Sequence, residues 1–248
     1  MERTIALPEG VDPSKITTGV VVEPDGIVRH VPTRVEQRDG KYYAIINSLT
    51  NSTYSVVWHP LTFSDVSNHW AKQAVNDMGS RMVINGTGED QFSPNDNISR
   101  AEFAAILVRG LGLRLENGAS GFVDVKESDW YNDAVKTAAA CQLVQGFEDG
   151  MFRPNGTITR EQAMTMIARA MKITGLTDQL ADQNIVDTLH GYKDVEAVSD
   201  WSASSVAACV QASVVTGKPG QLLALDQFIT RAEAAAIMER LLHKSGLI

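Results

Sequence analysis

From residue 63 onward, apolar positions recur every three to four residues in short blocks. Polar, glycine-bearing loops separate the blocks, and paired blocks occur three times. In the first unit Trp70, Ala74, Met78 and Met82, with Ala71 and Val75 beside them, make the stripe of an amphipathic helix. Trp130, Ala134 and Ala138, then Trp201, Val206, Val210 and Val214, trace related stripes. A second helix follows in each unit, marked by Ala101, Ala104, Ala105, Val108 and Leu111, by Ala163, Ile167 and Met171, and by Ala234, Ile237 and Leu241. Three helix-loop-helix units are predicted, none able to bury its apolar face alone.

Upstream the period changes to two. VVVEPDGIVRHVPTRVEQRDGKYYAIINSLTNSTYSVVWHP alternates β-branched and aromatic residues with polar ones, with turn signals at PDG, RDG and LTNS, and predicts three or four antiparallel strands. The expected fold class is mainly α: three helix-loop-helix repeats with approximate threefold symmetry, preceded by a small β-rich segment. The expected organisation is a β-rich segment over 1–60, then repeats over 61–118, 119–189 (with a connector) and 190–248.

The units keep fixed internal distances. Sixteen residues separate Trp70 from Gly86, Trp130 from Gly146 and Trp201 from Gly217, and 14 separate those glycines from Arg100, Arg160 and Arg231. A further arginine, Arg109, Arg169 or Arg240, stands 9 residues on. FSDV, FVDV or YKDV precedes each tryptophan, and FSPN, FRPN or the degenerate LALD lies between glycine and arginine. Counted on Asp65, Asp124 and Asp194, the copies are 59 and 70 residues apart, and the excess falls mostly in a polar, partly helical connector at 176–191.

Ser99 with Glu102, Thr159 with Gln162, and Thr230 with Glu233 match the capping box, which puts Arg100, Arg160 and Arg231 at the first helical position. The helix dipole disfavours a cation there by a few tenths to ~1 kcal/mol, so another interaction must hold them. Capping explains Glu102, Gln162 and Glu233 structurally; ligand contact or orientation of an arginine is the alternative.

Composition narrows the chemistry. The net charge is −8 over 248 residues and no Lys/Arg run occurs, which argues against a nucleic-acid partner and leaves any anionic ligand to local charge. Cys141 and Cys209 lie in alanine-rich helical stretches without ligand spacing and read as unpaired core residues. No run of 18 apolar residues exists to insert into a membrane, and the N-terminus lacks the pattern of a signal peptide, so a protein acting outside the cell would carry this chain as a piece of a longer one. No nucleophile with its base, paired carboxylates or metal-ligand spacing stands out among the histidines and acids. The chain is therefore expected to be no enzyme, with no cofactor and no metal site.

The combination FxDV, HW or DW, a glycine, FxPxxxITRAE and an apolar helix resembles the S-layer homology (SLH) domain, over Phe63 to Ile248. The stretch from Thr18 to Pro60 is similar to the segment that precedes SLH repeats in large secreted proteins of Gram-positive bacteria. The resemblance implies a pseudo-threefold bundle at the cell wall or S-layer. Its grooves would hold secondary cell wall polysaccharide bearing a pyruvate ketal on N-acetylmannosamine. Carried over, Arg100, Arg160 and Arg231 clamp the ketal carboxylate beside unpaired helix-start N–H groups, and Asp65, Asp124 and Asp194 accept sugar hydroxyls. Turn or helix caps are the alternative for these aspartates. Trp70, Trp130 and Trp201 stack on sugar or, as their stripe favours, pack in the core. Gly86, Gly146 and Gly217 supply a positive φ while admitting a ligand. The chain departs from the family pattern where Lys-Gly normally stands before the motif glycine: it has Arg81-Met82, Cys141-Gln142 and Ala212-Ser213. A protein-binding repeat module for surface assembly is the rival reading.

Overall fold

The alternating N-terminal residues pair into strands. The computed structural model describes residues 2–23, 26–48, 52–181 and 184–248. Among these, β1 (Glu2–Ala6), β4 (Thr33–Arg38) and β5 (Lys41–Asn47) form one antiparallel sheet in the order β1-β5-β4. β2 (Thr18–Val22), β3 (Val28–Val31) and β6 (Thr53–Val57) form another, in the order β3-β2-β6. The RDG signal is the β4–β5 turn: Arg38 pairs with Lys41, and Asp39 and Gly40 both take positive φ, as a two-residue hairpin of right-handed twist requires. Pro24 and Asp25 of the PDG signal, and Leu49 to Asn51 of LTNS, lie outside the described residues.

Among the described residues seven α-helices follow: α1 (Lys72–Ser80), α2 (Arg100–Gly110), α3 (Asn132–Ala140), α4 (Arg160–Ile173), α5 (Ile185–Leu189), α6 (Ala203–Gln211) and α7 (Arg231–Lys244). α5 belongs to the connector. The others form pairs, and α3 packs on α2, α6 on α4 and α1 on α7, so each first helix leans on the second helix of another unit and the last unit meets the first. One apolar core runs through all three units, with Phe92, Phe103, Leu143, Phe152 and Ile167 fully buried.

Two expectations need correction. The chain is not mainly α: 35% of it is helical and 18% extended, with six strands in two sheets instead of three or four strands. One reason is β1, whose short ERTIA stretch carries little alternation. The other is that each unit spends much of its length on loops, which meet at the centre as extended chain. Bridges join Ser99 to Thr157, Thr159 to Phe228 and Asn97 to Thr230, linking unit one to two, two to three and three to one.

The tryptophan stripe is also wrong at its ends. α1, α3 and α6 begin two residues after Trp70, Trp130 and Trp201, and the chain leaves the helix before Met82. Helical phase is lost there, so Ala71, Tyr131 and Ser202 turn inward instead. The tryptophans are 63%, 67% and 59% exposed.

Candidate functional site

The motif loops position the site, beginning with the three aspartates. Asp65 accepts the N–H groups of Phe92 and Ser93, Asp124 those of Phe152 and Arg153, and Asp194 those of Leu223 and Ala224, all at 2.7–3.0 Å. Ser93, Arg153 and Ala224 each hold a positive φ, which costs of order 1 kcal/mol for a side-chain residue and is stabilised here by the carboxylate. These aspartates clamp their own unit's loop, neither capping the following helix by a side-chain bond nor standing free for sugar. The degenerate LALD obeys the same geometry because the bonds go to backbone.

Gly86, Gly146 and Gly217 do not carry the positive φ expected of them; Met82, Gln142 and Ser213 do, at the ends of the first helices. The glycines are required by crowding. A Cβ on Gly146 would lie 2.5 Å from the Phe122 ring and 3.0 Å from the Met151 carbonyl, and one on Gly217 2.5 Å from the Tyr192 ring.

All three capping boxes form. The helix-start N–H groups, however, are not unpaired. Those of Arg100 and Ala101 donate to the carbonyls of Gly156 and Pro154, those of Arg160 and Glu161 to Gln227 and Leu225, and those of Arg231 and Ala232 to Asp96 and Pro94. Each helix start is thus closed by the loop of the next unit around the ring, and only the guanidinium remains to meet an anion.

The guanidinium groups cross the same boundary, which answers why cations stand against the dipole. Each Nη2 donates to the carbonyl just before the next unit's motif glycine: Arg100 to Gln145, Arg160 to Thr216, Arg231 to Asn85. Beyond that they differ. Arg160 also donates Nε to the Leu223 carbonyl and Nη1 to Glu233, and Arg231 donates Nε to Phe92 and Nη1 to Glu102. Arg100 makes neither bond: its Nε is buried without an acceptor, and its plane lies 5.0–5.1 Å from the Phe152 and Phe147 rings.

Grooves open beside these clamps. One of about 430 Å³ is lined by Arg160, Thr216, Gly217, Lys218, Glu233 and Arg240, with Trp70 across it. Another, of about 730 Å³, is lined by Gly146, Phe147, Glu148, Asp149, Arg153 and Trp201, and Phe147 connects it to Arg100, whose Cζ lies 5.1 Å from that ring. Trp70 and Trp201 therefore each face a groove built by other units. In the third position Arg231 meets Asn85 and Glu102, with Arg109 close enough to be repelled. Burial, with that repulsion, brings Arg109 down to about 10. Burial, then Arg169 and Arg153, lowers Arg100. Arg153, Phe147 and Lys218 are not predicted by the sequence; of the recurring arginines nine residues further on, Arg240 lines a groove and Arg169 donates to Gln145 Oε1.

Among the described residues no helix is long and apolar enough to cross a membrane, and Cys141 and Cys209 are free. The S-layer homology domain model matches residues 62–104, 121–164 and 191–235. The chain belongs to this family, and is a non-catalytic anchoring module of the cell surface. It is 33% identical, over its full length, to 13% of an amylopullulanase from Thermoanaerobacterium thermosulfurigenes. Over 80% of its length it is 34% identical to 18% of the exoglucanase XynX of Acetivibrio thermocellus. Over 72% it is 30% identical to 14% of a surface-layer 125 kDa protein from Lysinibacillus sphaericus. The chain thus spans less than a fifth of each of these relatives.

Proposed function

We propose that this chain anchors a larger protein to the bacterial wall by holding an acidic secondary wall polysaccharide in its inter-repeat grooves. The ligand group is the carboxylate of a pyruvate ketal on N-acetylmannosamine. Arg100, Arg160 and Arg231 meet that charge; Trp70, Trp130 and Trp201 offer apolar faces to the sugar ring. Glu102 and Glu233 hold Arg231 and Arg160, Gln162 closes its own helix cap, and Asp65, Asp124, Asp194 and the three glycines shape the loops.

The observation that carries the reading is the pairing of a cation at one groove wall with an exposed tryptophan from another unit at the other. A net charge of −8 gives no general attraction for a polyanion, so binding rests on these local cations. Whatever catalytic or lattice-forming part the rest of the protein contributes, the module itself needs no chemistry. Purified pyruvylated walls test the proposal. The chain should sediment with them and stay in solution after mild acid has removed the ketal pyruvate. Equal sedimentation before and after would replace the proposal by surface assembly through protein contacts.

A further inference from the structure

The three arginines are equivalent by position but not by state. In two of them a carboxylate of the protein already sits where a ligand carboxylate would: Glu233 on Arg160 at 3.1 Å, and Glu102 on Arg231 at 2.5 Å. The same glutamates use their second oxygen, Oε2, to close the capping box by accepting the Ser99 and Thr230 N–H groups. Lys218 adds a second cation to Glu233 at 3.3 Å. Both arginines are then nearly inaccessible, at 4% and 7% exposure.

The equivalent residue facing Arg100 is Gln162. Its amide oxygen accepts the Thr159 N–H at 3.3 Å, which leaves an NH2 group, another donor, for the side where the glutamates offer an acceptor. No bond forms between Gln162 and Arg100. The guanidinium rests instead between Phe147 and Phe152, with one orphaned N–H and with Arg153 and Arg169 repelling it. Arg153 lies 4.0 Å from the Phe147 ring and pairs with Asp149.

Building on the proposed function, we infer that Gln162 selects the Arg100 groove as the high-affinity carboxylate site, while Glu102 and Glu233 act as internal ligands that hold the other two grooves closed to a single sugar. In the first groove an incoming carboxylate gains bonds to an unsatisfied cation. In the others it must first displace a glutamate that is charged, part-buried and already bonded, so the exchange yields little.

The test is calorimetric titration of the purified chain with the monosaccharide pyruvate ketal of N-acetylmannosamine. One site per chain is expected. Gln162→Glu preserves the capping box and should supply the missing partner, weakening that site by about 10- to 150-fold while leaving the chain folded and no less heat-stable. Glu233→Gln should do the reverse and raise the stoichiometry toward two. Unchanged affinity in Gln162→Glu, with the parent binding normally, overturns the selection by Gln162 and leaves the wall-anchoring proposal standing. Three equal sites in the parent overturn it too. No heat with the parent, but binding to whole walls that survives removal of pyruvate, overturns both.

Discussion

Arg100 and Arg160 share a motif, a helix position and a backbone acceptor, yet one is orphaned and the other is saturated. Arg160 makes three bonds across the boundary to the third unit and is buried with Glu233; Arg100 makes one across the boundary to the second, stacks on two rings and keeps an unpaired Nε. They differ at Nε, which meets the Leu223 carbonyl in one and no acceptor in the other, and at the facing residue, Glu233 against Gln162. What the repeats share builds the ring; on the inference drawn above, what they do not share decides which boundary is held for stability and which is open to a ligand.

That division predicts unequal costs. Arg160→Ala removes three inter-unit bonds and leaves Glu233 with Lys218 and its own cap, so we expect a loss of ~3 kcal/mol in urea unfolding, whereas Arg100→Ala should cost under ~1 kcal/mol because it also removes repulsion by Arg153 and Arg169. Equal losses would break the comparison. Gly146→Ala and Gly217→Ala should cost alike, about 1–3 kcal/mol each, because an equivalent ring, Phe122 or Tyr192, stands 2.5 Å from either new methyl; the frame, unlike the cations, is common to both grooves.

Smaller effects sharpen the contrast further. Trp201→Ala, on the Arg100 groove, should weaken sugar binding by about 5- to 10-fold, and Trp70→Ala, on the Arg160 groove, should leave single-sugar binding as it was. Neither should lower the melting temperature much, since both rings are mostly exposed. One effect of acid falls in the sheet: burial, then repulsion by Arg81, depresses His30 from 6.5 to about 3. A depressed histidine stabilises the fold fully above pH 6.5, and that contribution falls away as pH drops toward 3, because the unfolded chain takes the proton first. His30→Phe should flatten this part of the pH–stability curve and leave the wall binding measured at pH 7 unchanged.

Much of this was legible in the sequence. The fixed spacing of Trp, Gly and Arg announced three units, and the capping boxes placed the arginines at helix starts, where they stand. The sequence misled where a three-dimensional partner decides. A period of four carries the tryptophans two residues beyond the helices, so a stripe that suggests core residues ends at exposed rings. Glycine suggested a positive φ, but the left-handed positions went to Met82, Gln142 and Ser213, and the glycines answer to Phe63, Phe122 and Tyr192. The aspartates' backbone partners lie 27–30 residues away, beyond any local signal. The helix content was overestimated because the extended centre needs strands from three units, each too short to show alternation.

The most direct test is to follow the arginine Nε–H resonances of the chain while adding the monosaccharide ketal. The account predicts that the Arg100 signal shifts first and saturates while those of Arg160 and Arg231, held by Leu223 and Phe92, stay in place. A shift of Arg160 or Arg231 ahead of Arg100, or saturable binding that moves none of the three, would contradict it.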